Sequence, residues 1–240
     1  MKPPLGESLA IIPARGGSKR IPRKNVKLFA GHPIMFYSIR AALESGCFSE
    51  VMVSTDDQEI ADMALGMGAN VPFLRESATS DDFAGVDDVA IQVLRCYQSL
   101  GMEFRTFFLI LPTAPFVTAA RLQEGQRLLL ENELDAVLPV TRFSYPIERA
   151  LHIDASGRLL MREPEHYDSR SQDLPPAYHD SGQFYWMRTA YVLEHRCFFA
   201  PRSGAIVLSP MEVQDIDNED DWRVAEYKYA YLRERASFPL

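Results

Sequence analysis

Short apolar runs alternate along the chain with longer stretches in which apolar positions recur every three to four residues. Leu9–Ile12 and Thr106–Leu111 are continuous apolar runs, the pattern of parallel strands covered on both faces. Glu50–Ser54, Val71–Leu74 and Asp135–Val140 predict further strands. Helical period appears over Ile34–Glu44, after Asp56, over Asp87–Leu100 and over Ala119–Glu131. Gly46 suits the left-handed end of the first of these helices. Asp56, with Glu59 three residues on, predicts a capping box for the second, which ends at Gly66 or Gly68. The β-α-β-α order predicts an α/β fold: an open, mostly parallel sheet with helices on both sides. Ligands of such sheets sit beyond the carboxyl ends of the strands. The loop after Ile12, the Ser54-Thr55-Asp56 turn and Pro112-Thr113 all fall at those ends and should converge.

The rhythm changes after Thr141. His152–Asp154 and Arg158–Met161, joined by Ala-Ser-Gly, predict a hairpin. Glu163 to His179 is polar, aromatic and Pro-rich with little period, and so long an irregular stretch in a folded chain argues for function. Residues from about 146 to 179 are read as an arm or lid. Gln183–Met187 and Gly204–Leu208 predict two more strands, and Asp220 to about Arg235 a final helix. There is no internal repeat, and residues 1–240 are expected to form one domain with the arm inserted in it.

Charge singles out one segment. The formal net charge is −8, yet the thirteen residues from Arg15 to Lys27 carry six positive side chains, and no acid lies between Glu7 and Glu44. An acidic chain lacks the extended basic surface that counterion release on nucleic acids requires. One basic loop in it points to a small anionic ligand held at one place. Cys47, Cys96 and Cys197 are far apart, lack zinc-ligand spacing and are expected to be free thiols. The longest apolar stretch, around Phe107 to Val117, is broken by Pro112 and Pro115 and is too short for a bilayer. No basic-then-apolar leader is legible, so no membrane partner and a cytoplasmic location are expected.

Three constellations carry candidate chemistry. In the first, a buried strand runs into Pro13, Ala14, Arg15, Gly16, Gly17, Ser18 and Lys19, followed by Lys24 and Asn25. Paired glycines let backbone amides approach a phosphate, Arg15 and Lys19 neutralise it, and the Asn25 amide suits ribose hydroxyls. The loop is neither a Walker P-loop nor a GxGxxG turn. In the second, Val213-Gln-Asp-Ile-Asp217, residues two apart on an extended strand share a face, so Asp215 and Asp217 can chelate one cation such as Mg²⁺. On its residues alone this segment serves equally as a helix cap. Opposite a phosphate loop the metal reading gains, with Asp220 and Asp221 left to cap. The third runs from Arg170 to Trp186. Arg170 can clamp a carboxylate and Gln172 can bond hydroxyl or amide groups. Alternation puts Phe184 and Trp186 on one face and Tyr185 on the other. His166 and His179 are candidates for acid–base work, though lone histidines are more often structural.

Together these motifs resemble the cytidylyltransferases that activate nine-carbon α-keto acid sugars, the CMP-N-acylneuraminate synthetase family. The matching segments are IPARGGSKRIPRKN at 12–25, VSTDDQEIADMALGMGANVPFLR at 53–75, RSQDLPPAYHDSGQFYW at 170–186 and QDIDNEDDWRVAE at 214–226. PTAPF at 112–116, Leu111 and Ser181 look closer to the pseudaminic acid branch, and Ala84-Gly85-Val86 stands where a serine run is usual. The resemblance implies a Rossmann-like nucleotidyltransferase sheet with a protruding dimerisation arm, and CTP plus pseudaminic acid giving the CMP-sugar and diphosphate. It implies that backbone near Ala14, the Asn25 side chain and backbone near Gly85 hold the cytidine, and that Arg15, Ser18 and Lys19 hold the triphosphate. Arg170, Gln172, Thr113, Ser181 and Tyr185 would face the sugar, and Asp215 and Asp217 would hold Mg²⁺. It implies a homodimer whose arm reaches the neighbouring site, and a product used in cell-surface or flagellin glycosylation. The alternatives are a sialic or legionaminic acid cytidylyltransferase and, more distantly, a sensor that binds CTP without turnover.

Overall fold

Leu9, Ala10, Ile11 and Ile12 are fully buried in the computed structural model, which describes residues 5–75 and 85–235. They belong to β1 (Leu5–Pro13), which pairs in parallel with β4 (Glu50–Ser54) and β5 (Glu103–Ile110). The sheet continues through β10 (Phe184–Arg188), β6 (Ala136–Arg142) and β11 (Ser203–Leu208), in the order β11-β6-β10-β5-β1-β4. β10 runs antiparallel to β5 and β6, whereas β11 and β6 are parallel. The sheet is therefore mostly parallel, as the alternation predicts, with a reversed strand inside it.

Apolar clusters lie on both faces. One packs α1 (Met35–Ser45) and α4 (Ala119–Glu131) over Ile12, Phe108 and Trp186; the other packs α3 (Val86–Ser99) and α5 (Thr189–His195) over Ile11, Phe107 and Met187. Alternation along β10 sends Phe184 and Trp186 to the first face and Tyr185 to the second, as the sequence requires. A third cluster joins a short ribbon, β2 (Leu28–Phe29) and β3 (His32–Pro33), to α6 (Glu219–Glu234) through Phe29, Tyr37, Trp222 and Tyr229. That ribbon lies where the sequence showed only loop, and α5 lies in a stretch to which the sequence assigned no element.

Gly46 ends α1 at φ 64°, the left-handed conformation expected of it. Three expectations need correction. Asp57, not Asp56, caps α2 (Gln58–Gly66), accepting from the Ile60 N–H, and Glu59 pairs with Arg23 instead of closing a box. Val71–Leu74 forms no strand: Asn70 alone bridges to Met52, and Pro72, lacking an N–H, cannot extend the ladder. Asn218 rather than Asp220 caps α6, with Asp221 completing the capping box.

Asp57 also binds the Arg23 guanidinium, which holds its carboxyl below the usual carboxylate range. Arg23 itself has a left-handed backbone, φ 54°. Asp57→Asn keeps a competent cap but removes the charge pair. It should lower stability by about 1 kcal/mol at neutral pH, the partly exposed Arg23 limiting the gain. A folded pKa below the unfolded one means the contribution is complete above about pH 4 and is lost as pH falls toward the lowered value. Melting curves should therefore separate wild type from variant at pH 7, and the difference should shrink as pH is lowered below about 4.

The stretch read as an arm contains β7 (Leu151–Ile153) paired antiparallel with β8 (Leu159–Met161), the predicted hairpin. It ends in β9 (Tyr178–Asp180), a strand the sequence did not signal, which pairs antiparallel with the carboxyl end of β6. β9 and β10 are separated by a bend at Gly182-Gln183, where Gly182 takes φ 63°. No helix among the described residues is long and apolar enough to cross a membrane.

Candidate active site

The loop after β1 is held from three sides. Ala14 donates its N–H to the Ser54 carbonyl at the end of β4 (2.9 Å), continuing the parallel pairing. The Gly16 N–H donates to Asp56 Oδ1 (2.9 Å). A Cβ on Gly16 would stand 2.6 Å from Asp57 Oδ2, so this glycine is required by packing as well as by ligand approach. Asn25, only 7 % exposed, donates its amide to the Arg15 carbonyl (2.8 Å) and fixes the loop from inside.

The held loop borders a cleft of about 520 Å³ at the carboxyl ends of β1 and β5. Pro13, Gly17, Ser18, Asn25, Gly85 and Thr113 line it, with the positive side chains of Arg15, Lys19, Arg20, Lys24 and Arg75; among the described residues no carboxylate does. Arg75 was not singled out from sequence. Its guanidinium donates to the Ser54 carbonyl (2.7 Å), and desolvation lowers its pKa. The available signal was a charged residue closing the apolar stretch Val71–Leu74. Because burial favours the neutral form of a base, a cation kept here is stabilised by anionic charge. Ala84, the first residue of the segment that replaces the serine run, lies outside the described residues.

Val213 to Asp217 forms no strand, and it is joined to the basic loop by the contacts of Ile216 and Asp217. Ile216 is buried at 1 % exposure, and its neighbours Asp215 and Asp217 are close enough for the charge of Asp217 to act on the Asp215 carboxyl. Lys24 Nζ donates to the Ile216 carbonyl (2.6 Å), and Arg20 pairs with Asp217 (2.6 Å), tying the basic loop to the two aspartates. Desolvation lowers the Lys24 pKa, opposed by the negative charges of Asp217 and Asp215. Asp215 is raised above the usual carboxylate range, first by desolvation and then by the charge of Asp217. Two carboxylates that repel each other next to a phosphate-sized basic cleft are a donor set suited to a divalent cation.

Asp215 also lines a second cleft of about 650 Å³, walled by Thr141 and Arg142 of β6, His179 and Asp180 of β9, Ser181 and Lys228. Ser181 Oγ is buried and has no hydrogen-bond partner among the described residues. Tyr185 does not line either cleft; it packs in the core and donates to Asp180 Oδ2 (2.6 Å), so it supports the wall from behind. Thr113 stands in the basic cleft, not in the second one. Arg170 and Gln172 are exposed and line neither cleft.

A family model described as Cytidylyltransferase matches residues 9–94, the part that contains the basic loop, β4 and the Asp56-Asp57 turn. The pseudaminic acid cytidylyltransferase of Campylobacter jejuni is 40 % identical over 230 residues, covering 96 % of this chain and 99 % of that one. This chain belongs to the cytidylyltransferase family. It is also 33 % identical over 225 residues to the CMP-N,N'-diacetyllegionaminic acid synthase of Legionella pneumophila, covering 91 % of this chain and 94 % of the other. A solved CMP:2-keto-3-deoxy-manno-octonic acid synthetase complexed with CTP superimposes with a TM-score of 0.67 at 16 % identity, covering 95 % and 99 % of the two chains. That likeness establishes the shared nucleotidyltransferase fold. As a family member this enzyme is a nucleotidyltransferase, and the basic loop stands where a parallel sheet binds its ligand.

Proposed function

We propose that this enzyme transfers the cytidylyl group of CTP to pseudaminic acid, releasing diphosphate, and that residues 1–240 act as one catalytic domain. The observation that carries the reading is the basic cleft, without a carboxylate among the described residues, whose loop is fastened by Lys24 to the Ile216 carbonyl and by Arg20 to Asp217. The 40 % identity to a pseudaminic acid cytidylyltransferase over nearly the whole chain supports the choice of acid sugar.

In this reading Arg15, Ser18 and Lys19 bind the triphosphate. Backbone near Pro13, Ala14, Gly16, Gly17 and Gly85, with Lys24, Asn25 and Arg75, accommodates the nucleoside and the α-phosphate. Ser181 faces the sugar in the second cleft, and Thr113 stands at the nucleotide side of the junction. Asp215 and Asp217 would hold Mg²⁺, which when bound supplies charge neutralisation on the phosphate oxygens. The anomeric hydroxyl attacks the α-phosphorus in line with the departing diphosphate. Arg15 and Lys19 stabilise the charge that accumulates on the leaving oxygens.

The hairpin presents Leu151, Ile153 and Leu159 at 55 %, 70 % and 63 % exposure, an apolar surface of the kind that a protein partner covers. We assign it to a homodimer in which Arg170 and Gln172 on the arm reach the site of the other copy. The setting is cytoplasmic, with neither nucleic acid nor membrane as partner.

The test is diphosphate release from CTP with Mg²⁺ and pseudaminic, N,N'-diacetyllegionaminic or N-acetylneuraminic acid offered separately. Release is expected with pseudaminic acid at a kcat/KM at least ~10²-fold above the other two, since unmet buried hydrogen bonds penalise the wrong stereochemistry. A preference for either other acid would keep the chemistry and replace the sugar. CTP binding without release from any acid would leave a sensor.

A further inference from the structure

An anomeric hydroxyl becomes an effective nucleophile only as it gives up its proton, and none of the roles assigned above accepts it. The titratable and charged side chains of the second cleft are Arg142 from β6, His179 and Asp180 from β9, Asp215 from the segment before α6, and Lys228 from α6. Arg142 and Lys228 are cations, and Lys228 Nζ is already spent on the Pro210 and Val213 carbonyls (3.0 and 2.7 Å). Both Asp180 oxygens are engaged, Oδ1 by the Gly182 N–H (2.9 Å) and Oδ2 by the Tyr185 hydroxyl (2.6 Å). Asp215 is assigned to the cation. His179 remains.

The local geometry fixes its tautomer. His179 Nδ1 lies 2.8 Å from the Asp180 carbonyl oxygen. A carbonyl oxygen only accepts, so Nδ1 carries the proton and the lone pair of the neutral ring is on Nε2. Nε2 has no partner among the described residues. The Phe143 ring, with its centroid at 4.8 Å, braces the imidazole from the β6 side. Pairing of His179 with Thr141, and of Asp180 with Val140, pins the backbone that carries it. Next along the chain, Ser181 places a buried, unpartnered hydroxyl in the same wall, a group that a polar ligand satisfies and that is costly to leave unmet.

The geometry points to His179 as the general base of the transfer, an assignment that rests on the function proposed above. Nε2 takes the proton of the anomeric hydroxyl while its oxygen forms the bond to the α-phosphorus. The bond from that phosphorus to the bridging oxygen breaks, diphosphate leaves with the electron pair, and the imidazolium returns its proton to water.

The test compares wild type, His179→Gln and His179→Ala with CTP, Mg²⁺ and pseudaminic acid. Both variants should lose at least ~10²-fold in kcat, with KM for CTP held within about twofold. Added imidazole should restore part of the His179→Ala rate. Glutamine can still donate to the Asp180 carbonyl, so a merely structural role would leave His179→Gln active. Wild-type kcat in His179→Gln, or no rescue of His179→Ala by imidazole, would overturn the assignment while wild-type turnover keeps the function standing. Absence of wild-type turnover with all three acids overturns both.

Discussion

Replacing Asp217 by alanine is expected to lower turnover at least ~10²-fold while the melting temperature stays near that of wild type. The structural part of this expectation follows from what Asp217 touches. Its carboxylate pairs with Arg20, whose side chain is 68 % exposed, and exposed pairs contribute about 0–1 kcal/mol. The turn itself is held by backbone: the Asp217 N–H donates to Asp221 Oδ2, and Ile216 stays anchored by burial and by Lys24. The catalytic part follows from the pairing with Asp215, whose carboxyl is raised by desolvation and by its neighbour's charge. Without Asp217 only one carboxylate remains for the divalent ion beside the phosphates. Asp215→Ala should behave alike. Steady-state diphosphate release across a Mg²⁺ titration, beside melting curves, decides it. Near-normal Mg²⁺-dependent rates in both variants would remove the metal role.

Trp186→Ala should cost about 3–5 kcal/mol of folding stability, the range for deleting a large buried aromatic. Trp186 has no exposed surface; its ring stacks on Phe48 with centroids 5.3 Å apart and meets Phe108 edge-on at 4.6 Å. Its Nε1 donates to the Leu122 carbonyl of α4 (3.0 Å), so truncation leaves a cavity between sheet and helix. Gly125 on α4 makes room for the ring, because a Cβ there would meet Trp186 Cδ1 at 2.3 Å. Trp186→Phe should lose less, retaining the ring contacts but not the hydrogen bond. Urea unfolding gives the numbers. A loss below about 1 kcal/mol for Trp186→Ala would mean that α4 can collapse onto the sheet. The effect matters for the site because β10 carries Tyr185, which holds Asp180 in the second cleft.

Most of the architecture was legible because its cause is local. Continuous apolar runs at Leu9–Ile12 and Thr106–Leu111 can be buried only as covered strands, and Gly46 can end a helix at positive φ without strain. Alternation alone separated Tyr185 from Phe184 and Trp186. The basic loop was legible because six cations and paired glycines after a buried strand have few other uses. Where two neighbours had equal chemistry, local reasoning failed. Asp56 and Asp57 are both good caps, and the choice went to Asp57 because the chain turns Asp56 toward the Gly16 amide, forty residues away in sequence.

The sequence by itself determined an α/β sheet, a basic, glycine-paired loop at its carboxyl edge and an acidic pair able to face it, since each depends on residues within one short segment. Tertiary structure decided which groups share a wall. Arg75 enters the basic cleft because its guanidinium reaches the Ser54 carbonyl, and Lys24 meets Ile216 across 192 positions. β9 joins β6, and so brings His179 and Ser181 beside Asp215, through backbone pairing that no side-chain pattern in 163–179 announces. Hydrogen bonds between segments distant in sequence leave no period to read, and they are what turns separate motifs into one site.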